Sequence, residues 1–250
     1  MDLRTALGLD LRALPERPLA PVAVSVVDSG IDATHPALRG RVAAAFRVEQ
    51  GAERPLVVGA SPDASNDVYG HGTAVAGIIA AVAPNARLTD VRVLDERNEA
   101  TGEILVEGFR RAVESDARVI NLSLACRARF APQLHELCER AYRRNQIVVA
   151  AKRNMPLVDQ GFPAELSACI AVDRERYPSP FEVGYRPTPP VEFVAHGVDV
   201  TAPAPGGGYR VVTGTSFATP AVTALCALLL GVAPELRPFE VKALLKGLAR

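Results

Sequence analysis

Short apolar runs of strand length alternate along this chain with segments that have the length and apolar spacing of helices. The runs that predict strands lie at 21–27, 88–94, 118–124, 147–151 and 168–172. The segments that predict helices lie at 71–82, 102–114 and 132–144. Strands that alternate with helices form mainly parallel sheets, and right-handed crossovers place the helices on both faces. We therefore predict an α/β fold of three layers with a mainly parallel central sheet.

Length and charge narrow the class of protein further. The chain has 250 residues, of which 48% are hydrophobic, so it is long enough to build one large domain around a core. Its 28 basic residues balance its 28 acidic residues. Because no overall field attracts phosphate backbones, we predict no nucleic-acid partner.

The N-terminal segment and the cysteines bear on the cellular compartment. Charged residues interrupt the N-terminal segment, at Asp2, Arg4, Asp10, Arg12, Glu16 and Arg17, and leave no apolar core for a secretory signal. The four cysteines show no Cys-x-x-Cys spacing; they are Cys126, Cys138, Cys169 and Cys226. In a reducing compartment such residues are small buried apolar groups. We predict a cytoplasmic protein with no disulfide and no zinc.

One stretch without charge, 217–234, is as long as a marginal membrane span. It contains Thr219, Pro220, Thr223 and Gly231, which favour a helix buried in the centre of a large domain. We therefore predict a core helix and no membrane association.

Four polar residues lie at predicted element boundaries. Asp28 ends a strand in Val-Ser-Val-Val-Asp-Ser-Gly, whereas His71 in Gly-His-Gly-Thr and Ser216 in Gly-Thr-Ser-Phe-Ala-Thr-Pro open helices. Asn154 follows the predicted strand 147–151. Because ligands of open α/β sheets bind in the crevice at the carboxyl ends of the strands, all four can converge there. A carboxylate, an imidazole and a hydroxyl in one crevice supply an acid, a base and a nucleophile.

These motifs resemble those of the subtilisin-like serine peptidases: Asp-Ser-Gly-Ile-Asp followed by His35-Pro36, then Gly-His-Gly-Thr and Gly-Thr-Ser-x-Ala-x-Pro, in that order. The resemblance runs from about residue 21 to the C-terminal helix. It divides the chain into an N-terminal extension, 1–20, and a subtilisin-like peptidase domain, 21–250.

The resemblance implies a catalytic triad, in which Ser216 attacks, His71 moves the proton and Asp28 orients His71. It also implies that Asn154 and the Ser216 N–H hold the oxyanion. Taken one at a time, Asp28, His71 and Ser216 could instead cap a turn or a helix, and Asn154 could be an ordinary loop residue. The other candidate acid, Asp32, and two other histidines, His35 and His196, are interpreted as structural, and His135 as structural or solvated.

Substrate contacts are also implied by the resemblance. An extended peptide would lie between two strand-like segments, 100–102 and 123–125. The primary pocket would lie beside 150–153, with its floor near Gly161. The residues assigned are Ala100, Thr101, Gly102, Ser123, Leu124, Ala125, Ala151, Lys152, Arg153 and Gly161.

Three positions depart from the family pattern near the primary pocket. Ala125, Cys126 and Arg153 stand where relatives usually have glycine. We therefore expect a narrowed pocket that prefers acidic or small residues; the alternative is that Arg153 points into solvent.

The calcium loop of many relatives is missing from the helix after His71, so we predict no metal site of that kind and no cofactor, while weaker calcium sites stay open. The short N-terminal stretch has no room for a pro-region. The sequence thus predicts a cytoplasmic serine endopeptidase that processes precursors and acts on peptides or proteins, and that either is highly specific or is controlled by a regulatory partner. The alternative is a catalytically impaired pseudoprotease that binds peptides. The sequence leaves the oligomeric state open.

Overall fold

A nine-stranded sheet forms the middle of the part of the chain that the structure describes, residues 9–154, 161–187 and 190–250 of a computed structural model. The strand order is β3-β2-β4-β1-β5-β6-β7-β9-β8, and only the outermost pairs, β2 with β3 and β8 with β9, are antiparallel. The strands are β1 Val22–Asp28, β2 Val42–Glu49, β3 Leu56–Ala60, β4 Ala86–Arg92, β5 Val119–Leu122, β6 Ile147–Ala151, β7 Cys169–Glu175, β8 Val183–Tyr185 and β9 Phe193–His196. A separate antiparallel hairpin pairs β10 Val200–Ala204 with β11 Gly208–Val212.

Helices cover both faces of this sheet. They are α1 His71–Val82, α2 Gly102–Val113, α3 Ala131–Arg143, α4 Thr215–Val232 and α5 Pro238–Leu248. The buried side chains of α1, α4 and α5 belong to the hydrophobic core on one face, and those of α2 and α3 to the core on the other. The prediction of a three-layer α/β fold with a mainly parallel central sheet is confirmed.

The central strands are continuous apolar runs because helices bury them on both sides. In β1 six of the seven residues are buried, and in β5 and β6 every residue is buried. In a parallel sheet covered in this way, the two ends of the strands are where polar side chains can reach solvent. Asp28 stands at the carboxyl end of β1.

Helix α4 fills the core beneath the sheet. By length and hydropathy it could cross a bilayer, and it alone could do so among the described helices, but 89% of it is buried inside the domain. The prediction that the uncharged stretch forms a core helix is therefore confirmed.

Two regions differ in detail from simple expectations. Part of the proline-containing stretch after β7 is a strand, because β8 pairs with β9 and buries Val183. Just before β8, the buried carboxylate of Glu182 binds the guanidinium groups of Arg12 and Arg250. Ahead of β1, residues 9–20 include a 3₁₀ turn, Leu11–Glu16, whose leucines pack into the same core as α4.

Candidate active site

The three motif residues lie at the same edge of the sheet. Asp28 is the last residue of β1, His71 is the first residue of α1, and Ser216 is in the first turn of α4. Gly72 allows α1 to approach the end of β1, since a Cβ there would lie 2.1 Å from the carbonyl oxygen of Gly30. The glycine in Gly-His-Gly-Thr is therefore required for the contact between the histidine helix and the loop after the aspartate.

Asp28 and His71 form a buried hydrogen bond. The Nδ1 of His71 lies 2.7 Å from Oδ1 of Asp28, and the same oxygen accepts the backbone N–H of Ser29 at 2.8 Å. Because Asp28 is fully buried and its carboxylate accepts, Nδ1 carries the proton in the neutral ring. This tautomer leaves Nε2 of His71 free to accept a proton.

The electrostatic surroundings of His71 favour its protonated form. Burial of the imidazole lowers its pKa, but the Asp28 carboxylate, through its charge and its hydrogen bond, raises it by more. The charge of Asp67 adds to the increase and that of Arg210 opposes it. The pKa of His71 therefore lies above its ordinary value.

Asp67 organises the start of α1, and neither motif nor spacing drew attention to it. Its Oδ1 accepts the N–H of Tyr69 and Gly70 at 2.9 and 2.7 Å, and its Oδ2 accepts the N–H of Thr73 at 2.8 Å. Oδ1 also accepts the hydroxyl of Ser29, the residue after Asp28. One carboxylate thus ties the acid loop to the helix that carries His71, and a negative charge at a helix N-terminus is itself stabilising.

Ser216 is positioned by a buried polar chain. Pro220 has no N–H to donate to the carbonyl oxygen of Ser216 one turn earlier, so that oxygen accepts the Ser123 hydroxyl instead, at 2.9 Å. Asn121 donates to Ser123 and accepts from Thr223 in the same helix. The first turn of α4 is thereby anchored to β5.

The Ser216 side chain faces the cleft together with His71. A hydrogen bond between the Ser216 hydroxyl and His71 is not formed in the described part of the chain. Catalytic hydrogen bonds often close only when substrate is bound. The Ser216 N–H likewise has no acceptor among the described residues, as expected for an orphan donor in the first turn of a helix.

Asn154 lies just beyond β6 and contacts the N-terminus of α4. Its Oδ1 accepts the N–H of Thr215 at 3.0 Å, and a guanidinium nitrogen of Arg174 donates to the same oxygen. With the oxygen so engaged, Nδ2 is turned the other way and lies 3.7 Å from where a Cβ on Gly214 would be. The amide donor is thus placed next to the turn that leads into Ser216.

Two adjoining cavities meet at Ser216 and contain most of the predicted substrate-binding residues. The larger, about 540 Å³, is lined by His71, Leu94, Asn98, Glu99, Ala100, Leu105, Ser123, Leu124, Ala125, Arg127 and Ser216. The other, about 360 Å³, is lined by Leu124, Ala125, Ala151, Lys152, Arg153, Asn154, Thr215 and Ser216. The structure therefore brings Asn154, Ser216 and the segments at 123–125 and 151–153 around one cleft.

Thr101 and Gly102 are placed differently from the other predicted contacts. Thr101 caps α2 by accepting the N–H of Ile104 at 3.3 Å, and a Cβ on Gly102 would lie 1.9 Å from the ring of Phe130. Like Gly161, neither residue lines the two cavities, and their roles toward substrate stay predictions. Their observed contacts begin a helix and pack it against the segment before α3.

The side of the smaller cavity is crowded. A Cβ on Gly161 would lie 2.8 Å from the Cβ of Ala125 and 3.3 Å from that of Arg153. The Arg153 guanidinium donates to the carbonyl oxygen of Cys126 at 3.1 Å. Arg153 therefore contacts the opposite wall of the cleft, which the alternative of a solvent-directed side chain did not anticipate.

The other candidate acid and histidines make contacts outside this constellation. Asp32 accepts from Thr34 and from the N–H of Gly206. The ring of His35 is within hydrogen-bond distance of the carbonyl of Gly208. His196 accepts the N–H of Tyr177, and His135 is exposed on α3. These contacts join loops to one another and do not reach Ser216.

The cysteines are free and buried, and the sulfur atoms of Cys138 and Cys169 are 3.4 Å apart. Within residues 9–154, 161–187 and 190–250, no group of three or more His, Cys, Asp or Glu side chains could hold a metal ion.

Comparison with known proteins places this chain in a family. The model of the Subtilase family matches residues 20–249. The chain is 32% identical over 225 residues to the Intracellular serine protease of Paenibacillus polymyxa, covering 83% of this chain and 66% of that protein. It is 33% identical over 220 residues to the Thermophilic serine proteinase of Bacillus sp. (strain AK1), covering 82% of this chain and 51% of that protein.

The chain thus spans between half and two thirds of the length of these two relatives. In three dimensions it is similar to Sphericase, with a TM-score of 0.76 over 94% of this chain and 87% of that one, at 22% identity. Fold, motif order and family match agree, and the chain belongs to the subtilase family.

Proposed function

We propose that this protein is a serine endopeptidase that cleaves peptide bonds through an acyl-enzyme. The observation that carries the proposal is the buried Asp28–His71 hydrogen bond beside a cleft that His71 shares with Ser216. A hydroxyl becomes a useful nucleophile when an oriented imidazole takes its proton, and this arrangement supplies the oriented imidazole.

In the proposed reaction the Ser216 oxygen attacks the scissile carbonyl carbon while its proton passes to Nε2 of His71. The tetrahedral intermediate collapses, His71 gives the proton to the leaving amine, and the acyl group stays on Ser216. Water then repeats these steps with His71 as base and releases the acid. Asp28 keeps its hydrogen bond to Nδ1 of His71 and stabilises the imidazolium.

The oxyanion of each tetrahedral intermediate would be held by Nδ2 of Asn154 and the N–H of Ser216. The support is twofold: the oxygen of the Asn154 amide is engaged elsewhere, which turns Nδ2 away from Thr215, and the Ser216 N–H lies in the first turn of α4. Donors fixed before the reaction stabilise developing charge without a reorganisation cost.

We further propose that the primary pocket accepts small or acidic side chains. The side chains of Ala125 and Arg153 line the smaller cavity and occupy space that glycines would leave open, so the pocket is narrower than it would be with glycine at these positions. The Arg153 guanidinium, which donates to the Cys126 carbonyl oxygen, brings a positive charge to the lining of this cavity, and a positive charge favours an acidic side chain.

A cytoplasmic role in trimming precursor peptides agrees with these features. One relative is named an intracellular serine protease, and the four cysteines of this chain are buried thiols. A protease that acts among the cell's own proteins needs narrow specificity or a regulatory partner, and a crowded primary pocket supplies the first.

Labelling with a fluorophosphonate probe tests the proposed chemistry. The unmodified protein should be labelled, Ser216→Ala should not be, and Ser61→Ala, which changes an exposed serine, should be labelled like the unmodified protein. Absence of labelling in the unmodified, folded protein would favour the peptide-binding pseudoprotease.

Cleavage of a peptide library tests the specificity. Small and acidic residues should dominate at the position before the cut, and Arg153→Gly should admit larger apolar residues and lose the acidic preference. A strong preference of the unmodified protein for large apolar residues would overturn this part of the proposal and leave the first intact.

A further inference from the structure

Arg174 contacts the amide that is proposed to bind the oxyanion, although the two residues lie on different strands. Arg174 is near the end of β7, two residues beyond Val172, which pairs with Ala151 of β6. Asn154 follows Ala151 by three residues. Through this register a guanidinium nitrogen of Arg174 reaches Oδ1 of Asn154 and donates a hydrogen bond to it.

A count of donors shows that Arg174 is one of two groups that fix the Asn154 oxygen. The Thr215 N–H donates to it at 3.0 Å. The Thr215 hydroxyl is 3.2 Å from the same oxygen but 2.6 Å from the carbonyl oxygen of Lys152, which can only accept, so its single proton goes to Lys152. The two lone pairs of the amide oxygen are therefore used by Thr215 N–H and Arg174.

The Arg174 side chain is guided to this position by its surroundings. Its backbone N–H donates to Oδ1 of Asp173 at 2.8 Å, and the other oxygen of Asp173 binds Lys152 and Arg186 at 2.8 and 2.9 Å. A Cβ on Gly197 would lie 2.9 Å from the Cβ of Arg174, so the glycine makes room for the arginine stem.

Arg174 forms no ion pair with a carboxylate among the described residues. Its guanidinium faces the amide oxygen of Asn154, at the end of the cleft where the negative charge of the oxyanion would develop. A charged donor on an amide oxygen draws electron density from the nitrogen and strengthens its N–H as a donor.

We propose that Arg174 is a positioning residue of the oxyanion site: it holds the Asn154 carboxamide with Nδ2 toward the cleft and strengthens that donor. This inference rests on the proposed function, because it assigns Arg174 a part in the same acyl-transfer reaction. It predicts an effect on the transition state that is transmitted through Asn154.

A double-mutant cycle in the full-length protein separates this role from simple packing. The variants are Arg174→Ala, Arg174→Lys, Asn154→Ala and the double variant Arg174→Ala/Asn154→Ala. The control is Arg176→Ala, which removes an exposed arginine two residues further on that pairs with Asp199. Steady-state kcat and KM on a peptide substrate are measured, together with inhibition by a peptidyl boronate, which forms a tetrahedral adduct on the serine.

Arg174→Ala should lower kcat about tenfold, within the range expected for loss of a charged hydrogen bond, and should leave KM nearly unchanged. Boronate binding should weaken by a similar factor, whereas binding of the product peptide should not. Arg174→Lys should recover part of the loss, and Arg176→Ala should match the unmodified protein. The double variant should lose no more kcat than Asn154→Ala alone.

If the fold-losses in kcat of the two single variants multiply in the double variant, Arg174 does not act through Asn154, and the inference is overturned. An unchanged kcat in a folded Arg174→Ala variant, or a change in KM alone, would do the same. In both cases the unmodified protein is still active, so the proposed function stands. An unmodified protein that neither hydrolyses peptides nor reacts with the boronate overturns both.

Discussion

The Nδ1 atom of His71 lies 2.7 Å from Oδ1 of Asp28, a carboxylate that is fully buried at the end of β1. This distance fixes the ring orientation and the tautomer together, because the buried oxygen can only accept. It also links the protonation of His71 to charges around the start of α1. The pH dependence of activity is therefore a direct probe of this contact.

Activity should fall in acid with an apparent pKa above the ordinary 6.5 of histidine. The base form of His71 is neutral, and because the folded protein raises its pKa, activity is lost as pH falls through that raised value. A profile of kcat/KM against pH reports this ionisation in the free enzyme. Asp28→Asn should move the inflection to lower pH and reduce kcat by about 10⁴, as loss of the acid does in another Ser-His-Asp enzyme.

The control for that profile is Arg87→Gln, which removes an exposed charge at the far end of β4. It should leave the inflection in place. An acid limb at or below 6.5 in the unmodified protein would contradict the assignment of Asp28 as the partner that charges His71.

Asp67→Asn should shift the same acid limb to lower pH, because the charge of Asp67 contributes to the raised pKa of His71. An amide also presents an N–H₂ group where Oδ2 now accepts the N–H of Thr73, so one donor loses its acceptor. That loss costs about 1–3 kcal/mol of folding free energy. Urea unfolding measures the stability and kcat/KM profiles measure the shift.

Asp63→Asn is the matched control for Asp67→Asn, since Asp63 is an exposed aspartate in the 3₁₀ turn Pro62–Ala64. It should change neither quantity. Loss of stability in Asp67→Asn without any movement of the acid limb would mean that Asp67 supports the helix start but does not influence His71.

Gly72→Ala should reduce activity sharply. The added Cβ would lie 2.1 Å from the Gly30 carbonyl oxygen and 3.1 Å from the Cβ of Asp28, so α1 must move away from the acid loop. Displacement of His71 by even a fraction of an ångström weakens a hydrogen bond that is optimal at 2.7 Å. Gly208→Ala is the control, because no atom lies within 4 Å of the Cβ position there.

A fall in kcat/KM of about 10²-fold in Gly72→Ala, with little change in Gly208→Ala, is the expected result, because small misplacements of catalytic groups cost that much. The helix content of both variants is checked by circular dichroism. If Gly72→Ala keeps full activity, the close approach of α1 to β1 is not needed to hold the Asp28–His71 contact.

The sequence predicts those parts of the site that coincide with element boundaries. Asp28 ends a β-branched run and His71 opens an apolar helix, so both local pattern and motif point to them. The parallel order of the central strands follows from the alternation of strands and helices. Gly72 follows His71 in the same motif, and the close approach of the Gly30 carbonyl oxygen explains why this position has no side chain.

Sequence reasoning missed the residues that act through distant partners. Asp67 binds Ser29, 38 residues earlier, and Arg174 binds Asn154, 20 residues earlier. No local sequence pattern around an isolated aspartate or arginine in a loop or at a strand end predicts such a contact. The pairing of strands creates it, so only the three-dimensional structure reveals it. The same holds for β8. This strand has only three residues and lies close to prolines, so the sequence does not identify it as a strand.

Asp90 provides a prediction about stability. This fully buried aspartate of β4 sits beneath the loop that follows Asp28: its Oδ2 accepts the N–H of Ile31 at 3.2 Å and lies 2.6 Å from the Ser65 hydroxyl. Its Oδ1 has no hydrogen-bond partner within the described residues. Burial raises its pKa, the hydrogen bonds from Ser65 and Ile31 lower it, and of the charges that face it, Asp67 raises it and Arg92 lowers it; together these effects bring the pKa to about 7.

Because the folded state holds this proton up to about pH 7 and the unfolded chain releases it near 3.8, folding is favoured less and less as pH rises between these values. The stability present below pH 3.8 is lost by pH 7, a loss of roughly 4 kcal/mol at about 1.4 kcal/mol per pKa unit. Asp90→Asn keeps an acceptor for Ile31 and cannot ionise. It should match the unmodified protein near pH 5 within about 2 kcal/mol and exceed it clearly at pH 8.

Urea unfolding of both proteins at pH 5, 6, 7 and 8 measures the difference directly. Asp63→Asn, which changes an exposed aspartate, should follow the unmodified protein at every pH. A constant difference between Asp90→Asn and the unmodified protein across this range would show that Asp90 does not take up its proton on folding. A difference that grows with pH up to about 7 and then levels off would establish that the loop behind the proposed acid rests on a neutral carboxyl group.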